Sequence, residues 1–199
     1  MDKLVLFNNT NRNKLLNKRS GESKFGQHVQ ILTSISNIYE QLENLDVTHY
    51  RNGDPIPFVK SKKKWSNLTT GAYCYYDNNP EKGVLYNWYA VERSKLAPKG
   101  WYVPTDAEWT ELTDYLVANG HSGTEETALK ATSRWDGTDD YGWLGFPGGF
   151  RYGSCGFDYV GNYGYWWSST EFNASYAWYR YLDYGNVYVD RSFFFNKGS

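Results

Sequence analysis

Hydrophobic and polar positions divide the chain into unequal parts. The first 29 residues are polar, rich in Asn and Lys, and hold no sustained period, so they read as an arm or short hairpin outside the core. From Gln30 to Glu43, the residues Ile31, Ile35, Ile38 and Leu42 recur at helical spacing. They predict one amphipathic helix whose apolar stripe packs on its own domain. Asp46–Tyr50 reads as a strand and Arg51-Asn52-Gly53-Asp54-Pro55 as a turn. The clearest helix start is Thr105-Asp106-Ala107-Glu108 behind Pro104. It is a capping box, in which the hydroxyl and the carboxylate satisfy each other's free backbone N–H groups. That helix runs through Trp109, Leu112 and Leu116 and stops at Asn119-Gly120. A second short helix covers Glu125–Thr132 and carries Leu129 inward. Beyond Gly137, short aromatic stretches alternate with Gly, Asn, Asp and Ser, the texture of short strands and ordered loops. No solenoid period is present.

Composition sharpens this picture at one point. Of 199 residues, 19% are aromatic, from 9 Trp, 19 Tyr and 10 Phe, and 19 are Gly. From Phe146 onward, 54 residues hold 19 of the 38 aromatics. Such a composition fits a loop-rich, partly β protein rather than a helical bundle. The formal net charge of -1 gives no reason to expect a nucleic-acid partner. The run Lys60-Ser61-Lys62-Lys63-Lys64 has only Trp65 beside it, too little stacking surface for a nucleic-acid site, and reads as a solvated loop. No apolar run approaches the roughly 18 residues of a membrane span. Asn8, Asn9, Asn11, Arg12 and Lys14 interrupt the only apolar stretch near the start, so no signal peptide is read there. A cytoplasmic or phage-particle-associated protein with reduced thiols is the expectation.

The search for catalytic chemistry is thin. His28, His49 and His121 lie far apart, and Cys74 and Cys155 form no CxxC pair. Nucleophile elbow, phosphate loop and HExxH motifs are missing. Asp106, Glu108 and Glu111 complement a helix dipole, and Asp139-Asp140 reads as an exposed acidic turn. No catalytic residue, metal or cofactor is expected. The late aromatics instead mix with small polar residues as in a paratope, where Tyr supplies contact area at low entropic cost and Ser, Gly and Asn adapt. By this reading the candidate ligand-binding residues are Tyr152, Phe157, Tyr159, Phe172, Tyr176, Tyr188, Phe193, Phe194 and Phe195. Three consecutive phenylalanines on a strand cannot all face inward, so at least one is expected at the surface. Trp88, Trp101, Trp109, Trp166, Trp167 and Trp178 read as core anchors.

A set of motifs carries a family resemblance from Glu43 onward. They are Glu43-Asn44-Leu45-Asp46-Val47-Thr48-His49-Tyr50-Arg51-Asn52-Gly53-Asp54, Gly71-Ala72-Tyr73-Cys74-Tyr75-Tyr76 and Leu85-Tyr86-Asn87-Trp88-Tyr89-Ala90-Val91. Leu96-Ala97-Pro98-Lys99-Gly100-Trp101 follows, then Val103-Pro104-Thr105-Asp106-Ala107-Glu108-Trp109 and Phe146-Pro147-Gly148-Gly149-Phe150-Arg151. The last are Gly164-Tyr165-Trp166-Trp167-Ser168-Ser169-Thr170-Glu171 and Ala177-Trp178-Tyr179-Arg180. In this order they resemble the Fibrobacter succinogenes major paralogous domain. The resemblance divides the chain into an arm and helix over 1–42 and a domain over 43–199, with a variable region over 151–199.

What the resemblance implies is an α+β, C-type-lectin-like fold: two helices on a small twisted antiparallel sheet, with long ordered loops. The fold is shared with formylglycine-generating enzymes, but their late cysteine pair is missing, and so are the calcium-sugar tripeptides of true C-type lectins. Related proteins serve as variable targets of diversity-generating retroelements, in which adenines of Asn-type codons are replaced. Such codons reach Tyr, Ser, Asp, Gly, Phe, Cys, Val or Ala, and never Trp, Glu, Lys, Gln or Met. From Tyr152 to Ser199 the unreachable types stand only at Trp166, Trp167, Glu171, Trp178 and Lys197. The aromatic candidates above are all reachable, with Cys155, Gly185 and Ser192, and the resemblance adds the reachable Ser154, Asn173, Ser175, Asp183, Asn186 and Asp190 to the ligand-binding candidates. The implied function is non-enzymatic binding of a protein or glycan through a diversified surface, with oligomeric state open. The alternative is a carbohydrate-binding or cell-surface structural module whose fixed aromatics stack on sugars.

Overall fold

The computed structural model describes residues 7–8, 45–92, 95–99, 101–153, 156–193 and 195–198. The helix predicted over Gln30–Glu43 and most of the arm lie outside the described residues. Strands are β1 (Phe7–Asn8), β2 (Tyr73–Tyr75), β3 (Val84–Tyr86), β4 (Trp101–Tyr102), β5 (Gly148–Tyr152), β6 (Gly156–Val160), β7 (Tyr163–Glu171), β8 (Ala177–Asp183) and β9 (Asp190–Ser192). Helices are α1 (Lys62–Trp65), α2 (Trp88–Glu92), α3 (Asp106–Leu116) and α4 (Glu125–Leu129). β1–β4, β2–β3 and β5–β6 are antiparallel pairs, and β7–β8–β9 form a three-stranded antiparallel sheet. The chain is an α+β protein with few helices and small antiparallel sheets.

The capping box forms as the sequence predicts. The Thr105 hydroxyl accepts from the Glu108 N–H at 3.2 Å, and Glu108 Oε2 accepts from the Thr105 N–H at 2.9 Å. Trp109, Leu112 and Leu116 are buried along one face of α3. The helix then widens into a turn over Val117–His121, which Gly120 closes at φ 95°. α4 ends at Leu129, short of the predicted Thr132. Lys130 turns extended and pairs with Gly145, whose carbonyl accepts from the Ala131 N–H at 3.0 Å. Two further expectations change. Asp46–Tyr50 is no strand and, among the described residues, its β-pairing is limited to the His49–Pro55 bridge across the turn at Gly53. Residues 62–65 are helical and not loop, because Trp65 is fully buried and pulls the segment inward, with Ser61 capping it.

The three-stranded sheet sorts the core by alternation. Trp166 and Leu182 point to one side, against Trp109, Leu112 and Leu116 of α3, Leu129 of α4 and Trp135. Tyr165, Trp167, Ala177 and Tyr179 point to the other, against Phe150, Tyr86 and Trp88. On this second side the indole N–H groups of Trp88 and Trp167 are satisfied: Trp88 donates to the Ser168 carbonyl at 2.9 Å and Trp167 to the Tyr86 carbonyl at 3.2 Å. A third cluster joins Trp65, Ala72, Cys74, Tyr76 and Leu85. Of the predicted anchors, Trp88, Trp109, Trp166 and Trp167 are buried, whereas Trp101 and Trp178 are half-buried. Trp65 and Trp135 are buried anchors that the sequence motifs passed over.

Buried cations tie these layers together. Arg180 donates to the Asp106 carboxylate at 2.6 Å and to the Thr110 hydroxyl at 3.1 Å, joining β8 to the start of α3. Arg151 donates to the carbonyls of Val59 and Lys60, both at 2.7 Å, while its guanidinium lies against Trp65 and Phe157.

Candidate functional site

Register assembles a grid of tyrosines on the sheet face away from α3. Tyr163 stands opposite Asp183, Tyr165 opposite Tyr181, and Trp167 opposite Tyr179 across β7 and β8. Tyr181 stands opposite Asp190 across β8 and β9. One half of this face is roofed by Phe195, which stacks on Tyr179 at 4.6 Å and on Phe150 at 4.7 Å. Tyr165 and Tyr179 are therefore buried. Tyr163, Tyr181, Asp183 and Asp190, in the other half, remain half-exposed.

The β5–β6 hairpin extends the array. The Tyr152 ring lies 4.3 Å from that of Phe150, and Tyr159 lies 4.9 Å from Tyr163 while stacking on Phe150 at 5.7 Å. Both are exposed. Tyr159 reaches this place through an unusual backbone, with φ 62° and its N–H bonded to the Asp158 carboxylate at 2.8 Å. On the neighbouring strand Gly149 has φ 63°, and a Cβ there would meet the Asp158 carbonyl at 2.4 Å and the Val160 nitrogen at 2.6 Å. A left-handed non-glycine residue costs about 1–3 kcal/mol, and such residues gather where a side chain must be aimed.

Electrostatics keep these phenols neutral. Burial first, then the Asp183 charge, pushes the Tyr163 hydroxyl up; burial, then Asp190 and Asp183, do the same for Tyr181. Tyr181 and Asn186 both hydrogen-bond to Asp190, Asn186 at 2.9 Å. Burial outweighs these bonds and raises the Asp190 carboxyl. The face offers hydroxyl donors, flat rings and two carboxylates.

The other candidate residues fall in separate places. In the β7–β8 turn, Phe172 stacks on Phe193 at 3.8 Å, and both lie edge-on to Trp178 at about 5 Å. The Arg191 guanidinium lies 3.5 Å over Trp178 and bonds Asp106 at 2.8 Å. Asn173 is committed to the turn, since its Oδ1 accepts from the N–H groups of Ser175 and Tyr176 at 2.9 and 3.0 Å. Tyr176 and Ser175 are exposed. Tyr188 stands exposed on the loop after β8, as does Tyr184 four residues earlier. Phe157 joins the Trp65 cluster, against Arg151 and Tyr76. Ser154, Phe194 and Cys155 lie outside the described residues.

Sequence reasoning missed Tyr163 and Tyr181, which sit among scaffold motifs and are legible only once strand register is known. It also missed the anchor of the 183–187 loop. Glu126 accepts from the Asp183 N–H at 2.8 Å and pairs with Lys130, whose ammonium also donates to the Asp183 and Asn186 carbonyls. Burial pushes the Glu126 carboxyl up to about 7. The available signal was a Glu and Lys four residues apart at the predicted second helix.

A family model for the Fibrobacter succinogenes major domain matches residues 35–197. The chain belongs to this family. The matched span opens within the segment assigned above to the arm and helix. No curated protein and no solved structure matches the chain significantly. Among the described residues of this family member, no group of three or more His, Cys, Asp and Glu could hold a metal ion. No helix among them is long and apolar enough to cross a membrane.

Proposed function

We propose that this chain is a non-enzymatic ligand-binding protein with a C-type-lectin-like scaffold. Its last fifty residues display an aromatic and polar surface that a retroelement diversifies. One observation carries this reading. Among the described residues, eight of the ten exposed large apolar side chains fall between Tyr152 and Tyr188. Exposed rings concentrated in one stretch mark a recognition surface, whereas scattered ones need no explanation.

The residues that Asn-type codons cannot reach support the same division. Trp166 and Trp167 are core, and Trp178 lies beneath Arg191. Lys197 is buried, with its ammonium 4.6 Å from the Trp88 ring and 2.6 Å from Glu171. Of the five unreachable positions three are thus buried, Trp178 is half-buried, and Glu171 is exposed while holding Lys197. Tyr152, Tyr159, Phe172, Tyr176 and Tyr188, all reachable, are exposed. Affinity on such a surface comes from a few aromatic anchors within near-neutral polar contacts.

Tyr176→Ala and Tyr188→Ala test the reading on peptide and glycan arrays. Each variant keeps its melting transition within about 0.5 kcal/mol of the parent, as exposed sites do, and loses array binding. A variant that unfolds, or that binds as the parent does, contradicts the assignment.

A further inference from the structure

The half of the tyrosine face that Phe195 leaves open has a definite chemistry. Tyr163 and Tyr181 lie 6.2 Å apart, with Tyr159 beside Tyr163. Asp183 stands opposite Tyr163, and Asp190 opposite Tyr181. Among the described residues, neither carboxylate pairs with a lysine, arginine or histidine side chain: Asp183 accepts from the Gly185 N–H at 2.7 Å, and Asp190 from Asn186 and Tyr181. No described basic side chain lies over the three rings, although the protein's other aromatics are repeatedly covered this way.

Those covered rings show what fits such a place. Arg191 lies 3.5 Å over Trp178 while bonding both oxygens of Asp106, and Lys197 lies over Trp88 while pairing with Glu171. A ring face attracts a cation through its quadrupole, and an adjacent carboxylate fixes the cation's direction. Guanidinium suits both demands better than ammonium, because it is planar, stacks and donates in a fork. The Asp183 and Asp190 carboxylates repel an acidic ligand, while the neutral phenols offer the negative faces of their rings to a cation.

We infer that the open face formed by Tyr159, Tyr163, Tyr181, Asp183 and Asp190 docks an arginine-bearing peptide segment of a partner protein. The guanidinium lies on the tyrosine rings and bonds the two carboxylates. This inference rests on the binding reading above and names its ligand class.

The test uses the full chain with hexaarginine, hexaglutamate and a neutral Gly-Ser hexapeptide. Binding is followed by calorimetry and by amide shift changes on the unaltered protein. Hexaarginine is expected to bind, with shifts centred on these five residues. Asp183→Asn combined with Asp190→Asn weakens it about tenfold, and Tyr181→Leu weakens it as well. Glu111→Gln with Asp114→Asn changes charge equally on α3 and leaves binding unchanged. The shift map on the unaltered protein keeps the test decisive if the face variants fail to fold. Absence of hexaarginine binding, shifts elsewhere, equal weakening by both double variants, or equal binding of hexaglutamate overturns the inference. A neutral ligand held at this same face removes the cationic class while leaving the binding reading intact. Unfolding of Tyr188→Ala strikes that reading whatever the charge result.

Discussion

Asp106 holds two arginines at once, Arg180 from β8 and Arg191 from β9, at 2.6 and 2.8 Å. Burial alone would raise its carboxyl, but hydrogen bonds from Arg191 and Arg180 outweigh burial and hold it below the ordinary 3.8. A depressed carboxylate contributes stability that is fully present above its unfolded value and is lost as pH falls through the folded one. Asp106→Asn is therefore expected to cost about 1.5–3 kcal/mol near neutrality. It also flattens the loss of stability below pH 3.8, as denaturant melts across that range would show. Equal acid sensitivity in the two proteins would refute this role. Gly149 is the complementary case, a residue defined by having no side chain. Gly149→Ala drives a Cβ into the backbone of Asp158 and Val160, and about 1–3 kcal/mol of stability is expected to go in a thermal melt. The same change moves the Tyr159 ring off the face.

At the scale of elements, local signals were the legible ones. The α3 capping box lies within four residues, so the sequence alone locates the helix start, and Leu112 and Leu116 locate its buried face. Gly120 likewise marks the helix end. Where an element depends on distant partners, the sequence reading went astray. Lys130 ends α4 by pairing with Gly145, and nothing near Lys130 announces this. Asp46–Tyr50 has strand-like residues but pairs with no strand among the described residues. The candidate site divides in the same way. Exposed rings at Tyr152, Tyr159, Tyr176 and Tyr188 were readable from their polar neighbours, whereas Tyr163 and Tyr181 became part of the face only through the β7–β8 register. Phe195 was grouped with binding residues by its neighbours in sequence, yet its ring roofs Tyr179 and Phe150. Trp167 shows how firmly the sheet is held beneath this face. It is fully buried and its indole bonds the Tyr86 carbonyl, so Trp167→Ala is expected to cost about 3–5 kcal/mol in a denaturant titration. A loss below about 1 kcal/mol would show that the core tolerates what only the surface should.

For the molecule as a whole, the family match and the three core clusters describe a frame, and the exposed rings describe what the frame carries. The β7–β8–β9 sheet serves both: one side packs on α3 and α4, and the other passes from core under Phe195 to open tyrosines. Under the proposed reading, substitutions at this edge of the sheet leave the tryptophans behind it undisturbed. The most direct measurement is the DNA sequence around the gene, read against the codons from Arg151 to Ser199. The account predicts a near-repeat with adenines at the codons for Tyr152, Tyr159, Tyr176, Asp183, Asn186, Tyr188 and Asp190, and with unchanged codons for Trp166, Trp167 and Trp178. A locus without such a repeat, or a repeat that varies the buried tryptophans as freely as the exposed tyrosines, would contradict it.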